Sequence, residues 1–331
     1  MSQTARQTLR HFLVPSFLLA SLPTTLLLNS CSSATTAAST TTTSTISGTA
    51  SAYTDVYKTL SWGTGVTVSY PSTCTMTLTS TGAPAYHDAY YLGPVSTQYP
   101  TQIASTPSGL KLAVVPYTSS AVIPYTATVN ICPVKAAATT STNLGPIGYI
   151  TSGEYLYNAY ETTLTPALGD NVSYTFTIGA TSYTASFIDK CNSHPTPLTG
   201  GYTWHYHGVP LCVTATVDAA SGPSHIIGIA LDGFPVYGGR DISGNLITTA
   251  QLDACNGITS PTPEFPAGAY HYVLPEGVTS NRSSLTCYAG TVSQTLMAQM
   301  DRLGCKMRNA YTVDKKKEQD YEMKMKMKMG M

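Results

Sequence analysis

Ile226-Ile-Gly-Ile-Ala-Leu-Asp-Gly-Phe-Pro-Val-Tyr237 reads as two short strands folded around an Asp232-Gly233 turn. Asp-Gly between apolar β-formers is a strong short-range hairpin signal. The same spacing occurs upstream. Ile147-Gly148-x4-Gly153-x3-Tyr157 echoes Ile227-Gly228-x4-Gly233-x3-Tyr237. Each copy is followed by Asp-x-Cys-Asn, at Asp189–Asn192 and Asp253–Asn256. Each then reaches an aromatic His-Tyr strand, Trp204-His205-Tyr206-His207 or Tyr270-His271-Tyr272-Val273, and ends in a cysteine, Cys212 or Cys287. Four elements repeated in one order predict two similar lobes forming one closed domain rather than an array.

The surroundings agree with a β-dominated chain. Charged residues make up only 10% of the 331, against roughly 25% in an average soluble protein. Tyr 23, Gly 26 and Pro 21 stand out instead. This composition excludes a coiled coil, a helical repeat and a long charged disordered chain. Short β-rich runs bounded by turn residues recur at 65–70, 110–115, 121–129, 172–178 and 211–217. The expected class is all-β or β-dominated, disulfide-stabilised, with one short C-terminal helix. Leu296, Met300, Leu303 and Met307 step by four, three and four, which places that helix within 291–313.

The ends have their own character. Arg6 and Arg10 precede an apolar stretch, 12–28, broken by Pro15 and Pro23, the pattern of an export signal. It closes on Leu28-Asn29-Ser30-Cys31, a lipobox-like end with Cys31 as the lipidation site. Residues 32–63 form a Ser/Thr-rich linker and lead-in, and 314–331 a disordered Lys/Met-rich tail. The expected location is outside the cytoplasm, as an envelope lipoprotein or a secreted protein, with membrane contact through the lipid anchor only. Net charge is +0 overall. Over 64–290, however, five basic residues face eleven acidic ones, a net of −6. Such a body disfavours polyanions, so no nucleic-acid partner is expected.

Export permits disulfides. The echo suggests Cys191–Cys212 and Cys255–Cys287, one per lobe, with Cys74–Cys132 upstream and Cys305 left over. Six cysteines allow fifteen pairings. No Cys-x-x-Cys occurs, nor a Gly-x-Ser-x-Gly elbow, a P-loop or a dinucleotide fingerprint. The histidines are the chemical signal. In a strand, His205 and His207 project to one face and Trp204 and Tyr206 to the other. Paired imidazoles suit a transition metal, copper or zinc. His271, on the sister strand, would complete the site, with His87 and His194 as further ligands. Asp189, Asp253, Tyr206 and Tyr272 would orient the rings from behind. The same aromatic and His side chains could instead build a metal-free face that stacks on glycan or protein, or serve a purely structural envelope protein. No reaction is assigned.

At these residues the chain resembles the YHYH domain family. The matching pieces are Gly145-Pro-Ile-Gly148, Leu156-Tyr157-Asn158, Asp189-x-Cys191-x-x-His194, Trp204-His205-Tyr206-His207-Gly208-x-Pro210-x-Cys212, Ile227–Gly238, Leu252–Gly257, Tyr270–Tyr272 and Cys287-Tyr-x-Gly290. Gly82-Ala-Pro-Ala-Tyr-His87 is similar to an early element. Trp204 replaces the first Tyr of the name-giving motif, Ser193 a Gly, and Val273 stands where another His would fit. The resemblance covers about 82–290, most of the β domain expected over 64–290, and implies export and no particular activity.

Overall fold

The computed structural model describes residues 50–83, 91–92, 113–114, 122–160, 166–169, 173–178, 181–186, 188–189, 191–198, 201–300 and 303. All lie in the compact unit Thr41–Met331. The expected export signal, Cys31, His87, Cys305, Met307 and the Lys/Met tail fall outside them.

Helix α1 (Ala50–Tyr57) opens the described chain. A three-stranded antiparallel sheet follows, in the order β1 (Val66–Ser72), β2 (Thr75–Ser80), β5 (Tyr125–Asn130). The short parallel pair β3 (Tyr91–Leu92) and β4 (Ala113–Val114) lies between β2 and β5 in the chain. β6 (Lys135–Ser141) pairs with the last strand, β17 (Cys287–Gly290). β9 (Ser173–Ile178) and β10 (Thr181–Ser186) form a hairpin.

The main sheet has eight strands. They are β7 (Pro146–Ile150), β8 (Tyr155–Tyr157), β11 (Ser193–Leu198), β12 (Gly201–Tyr206), β13 (Ile226–Ala230), β14 (Pro235–Tyr237), β15 (Gly257–Ser260) and β16 (Ala269–Val273). Their order is β11-β12-β8-β7-β13-β14-β16-β15. Read outward from the β7–β13 contact, each half runs hairpin, parallel strand, antiparallel edge strand. The registers repeat as well. Tyr206 pairs with Leu156 and Tyr272 with Val236, the corresponding residues of the sequence echo. At the centre, a Cβ on Gly148 would meet the Ile229 carbonyl oxygen at 2.6 Å, and one on Gly228 the Tyr149 oxygen at 2.5 Å. Only glycine lets the two central strands approach this closely.

β7, β8, β13 and β14 are buried along their whole length, which is why they read as unbroken apolar runs instead of alternating ones. The three-stranded sheet adds Met76, Leu78 and Val129 to the same core, and α1 adds Tyr53 and Tyr57. The predicted Asp-Gly hairpin is β13–β14, closed by Gly233 N–H donating to Ala230 O at 2.9 Å. The C-terminal helix, α3, covers 294–300 and lays Leu296 and Met300 on the core.

One predicted strand is a helix. Residues 211–217 form α2 (Leu211–Val217). Pro210 stands at its N-cap, and the Pro210 carbonyl accepts from Val213 and Thr214 N–H at 2.9 and 3.0 Å. The adjacent Val213 and Thr214 are the buried pair, so burial does not alternate. Neighbours overrode β propensity here.

Three disulfides, Cys74–Cys132, Cys191–Cys212 and Cys255–Cys287, staple the described chain, and none of its cysteines is free. Such bonds belong to oxidising compartments. No described helix is long and apolar enough to cross a membrane.

Candidate metal centre

The site is built by a turn and a register. Asp189 Oδ1 accepts from the N–H groups of Cys191 and Ser193, each at 2.9 Å, and Oδ2 accepts from Ser193 Oγ at 3.0 Å. This lets Asn192 sit at φ 66° and turns the chain into β11. Asn tolerates that left-handed backbone better than most residues. β11 then pairs with β12 so that His194 stands directly across from His205. His207 lies two residues beyond His205, on the same face.

The three imidazoles converge. His194 Nε2 and His205 Nε2 each lie 3.1 Å from His207 Nε2. One ligand atom from each ring fits within a 4.8 Å group, and all three residues are buried. His207 Nδ1 is 2.7 Å from the Asn158 carbonyl oxygen, and His194 Nδ1 is 3.2 Å from that of Pro195. A carbonyl only accepts, so each Nδ1 donates, and in a neutral imidazole that leaves Nε2 as the nitrogen able to bind a cation. The Tyr157 ring stacks on His205 with centroids 4.0 Å apart and meets His207 edge-on at 5.8 Å. Ser283 Oγ donates to the His207 carbonyl oxygen at 2.8 Å.

The expected set was His205, His207 and His271, with His87 and His194 added. The structure brings His194, His205 and His207 together and leaves His271 apart. β16 lies five places from β12 in the sheet, about 24 Å at the usual strand spacing. There the His271 Nδ1 contacts Ala269 O at 2.9 Å, the ring packs on Tyr237, and burial pushes its pKa below the ordinary value. The second lobe keeps the equivalent of His205 alone. Ile258 faces His271 where His194 faces His205, and Val273 follows where His207 does.

The expected orienting groups also differ. The Asp189 carboxylate builds the turn just described. Asp253 does the same for its own turn, accepting from Cys255 and Gly257 N–H and from Tyr270 Oη. Tyr206 and Tyr272 look away from the histidine face. Tyr206 Oη donates to buried Glu154 at 3.3 Å, and Tyr272 Oη to buried Asp232 at 2.5 Å. Groups that do contact the rings include the backbone carbonyls of Asn158 and Pro195 and the Tyr157 face. The echo marked Tyr157 as recurring; nothing marked the carbonyls. Trp204 and the three histidines are buried, so they form no exposed stacking platform.

No curated protein and no solved structure matches the chain. A family match exists for the stretch that supplies the triad. Residues 126–245, which run from β5 past β14, match the model of the YHYH protein family, and the chain therefore carries a YHYH domain there.

Proposed function

We propose that this is an exported protein whose YHYH domain holds one transition metal ion, copper or zinc, on the Nε2 atoms of His194, His205 and His207. The observation that carries this reading is the convergence of three buried imidazoles, with His194 Nε2 and His205 Nε2 each 3.1 Å from His207 Nε2. In neutral rings that donate from Nδ1, the Nε2 atoms of His194 and His207 would bring two lone pairs face to face. Such a contact repels unless a cation is shared. A single proton bridges one pair and puts a buried charge on an imidazole. A metal ion satisfies all three nitrogens at once. Bonds of about 2.0–2.1 Å in tetrahedral geometry put donor nitrogens about 3.3 Å apart, close to the spacing seen. Imidazole suits both metals. Three protein donors leave a fourth position for water or a small ligand. The apolar N-terminus ending at Cys31 and the three disulfides support export, with Cys31 as the anchor.

Dialysis against zinc or copper followed by elemental analysis should give about one ion per chain. His207→Ala and His194→Ala should lose it, with circular dichroism reporting that the fold survives. His271→Ala should keep it. A wild type that stays empty under every loading condition sinks the proposal, as does a His271→Ala protein that loses metal as readily as His207→Ala.

A further inference from the structure

The Cys191–Cys212 disulfide closes a loop that contains the whole donor set. Cys191 stands three residues before His194 and Cys212 five after His207. The two cysteines are separated by 21 residues in sequence. Other bonds also tie the ends of the loop to each other. Asn192 Nδ2 donates to Val209 O at 2.9 Å, and Leu211 N–H to Cys191 O at 3.2 Å. The donors are not equally anchored. His205 sits on β12, which pairs on both sides, with β8 and β11. His194 sits on β11, the edge strand of that sheet. Its position depends on the β11–β12 hairpin and on the turn that the disulfide pins.

Resting on the metal reading above, we propose that the Cys191–Cys212 disulfide and the ion on His194, His205 and His207 are thermodynamically coupled, so that a thiol reductant opening the disulfide weakens the site and a bound ion protects the disulfide. In the reducing step, two reductant thiols become one disulfide and the Cys191–Cys212 bond breaks. Two electrons and two protons pass to the cysteine sulfurs. Cys212 is half-buried and Cys191 buried, so attack falls on the Cys212 sulfur. Once the bond is open, the covalent tie between α2 and the start of β11 is gone, and His194 is held beside His207 by the Asp189 turn and the β11–β12 hairpin without it. Coupling is reciprocal: whatever factor reduction takes from metal affinity, metal returns as resistance to reduction. A closed loop of this length restricts the open chain by a factor of a few hundred at most, and the surviving hairpin retains part of that order. The expected coupling is roughly 10- to 100-fold. A protein with this linkage keeps its ion outside the cell and gives it up under reduction.

The other two disulfides are references within the same molecule. Cys255–Cys287 begins at the equivalent turn of the second lobe, where the triad has no counterpart, and Cys74–Cys132 lies upstream. The test is equilibration of the full chain in glutathione redox buffers, with and without saturating zinc, then acid quenching, alkylation and peptide mapping. Each protein disulfide opened turns two glutathione thiols into one glutathione disulfide. Zinc should make Cys191–Cys212 roughly 10- to 100-fold harder to reduce at equilibrium and leave the other two unchanged. In parallel, Cys191→Ser/Cys212→Ser should bind zinc about 10- to 100-fold more weakly than wild type, and Cys255→Ser/Cys287→Ser should bind it as wild type does. Zinc that binds yet protects all three disulfides alike, or none, overturns the coupling and leaves the metal site standing. Zinc that never binds removes both.

Discussion

Gly233→Ala should cost about 3–5 kcal/mol, a large share of the stability of an ordinary domain. Two penalties combine at this position. Its φ is +89°, where a Cβ costs roughly 1–2 kcal/mol. The added Cβ would also stand 2.2 Å from the Asn130 carbonyl oxygen, a backbone atom of β5 that no rotamer change moves. Retreat is blocked on the other side. The Gly233 carbonyl accepts from Tyr57 Oη of α1 at 2.6 Å, and Gly233 N–H holds the hairpin closed on Ala230 O. A shift to relieve the clash therefore pulls on three elements together. Gly277 supplies the comparison. It has φ +72°, but a Cβ there meets nothing within 4 Å. Gly277→Ala should cost only the conformational part, about 1 kcal/mol. Chemical denaturation of the two variants beside wild type measures both. Equal losses would mean that the approach of β5 to this turn contributes nothing.

That turn shows what the sequence made legible. Asp232-Gly233 between apolar runs marked the hairpin because turn chemistry is local. The contact with Asn130, about a hundred residues away in the chain, is tertiary and left no local trace. The same division holds at the histidines. His205 and His207 share a face because strand geometry repeats every two residues, and this was readable. The third ligand was not. The echo makes His271 the equivalent of His205, but equivalence in a repeat is not proximity in the sheet. In the actual sheet the two halves meet at β7 and β13, so only residues on those strands come close to their counterparts. β12 and β16 lie well out on either side. The histidine that does join them, His194, is placed by the antiparallel register of β11 on β12, with the Asp189 turn leading into β11. The carbonyl that fixes His207 belongs to the backbone of Asn158, and any residue there would supply it. The helix at 211–217 escaped because its apolar and β-branched residues suit a strand, while Pro210 and the link to Cys191 hold it in another shape.

Stability should fall as pH rises from about 4 to about 6, by about 2 kcal/mol, through Asp232 alone. This carboxyl is fully buried, and desolvation pushes its pKa up to about 6. Hydrogen bonds hold the shift down without cancelling it. Asp232 Oδ2 accepts from Tyr272 Oη at 2.5 Å and from Gly290 N–H at 2.8 Å, and Oδ1 from Phe234 N–H at 3.3 Å. In the unfolded chain the same group titrates near the ordinary value of about 3.9. Between those two values the folded protein binds the extra proton. Its contribution is therefore complete only well below the unfolded value and is lost as pH rises through 6. His271 works in the opposite sense. Burial lowers its pKa, so its neutral form favours the fold as pH rises through the histidine range. The two trends overlap in a simple pH profile, and the comparison that separates them is with Asp232→Asn. The amide stays neutral throughout, keeps an acceptor for Phe234 N–H, and leaves His271 in place. Its cost in altered hydrogen bonds is constant with pH. Measured by denaturant unfolding at intervals from pH 4 to pH 7, wild type should lose about 2 kcal/mol relative to this variant. A difference that stays flat across the window would show that the fold does not disfavour the charged carboxylate, and that Tyr272, Phe234 and Gly290 between them solvate it as well as water does.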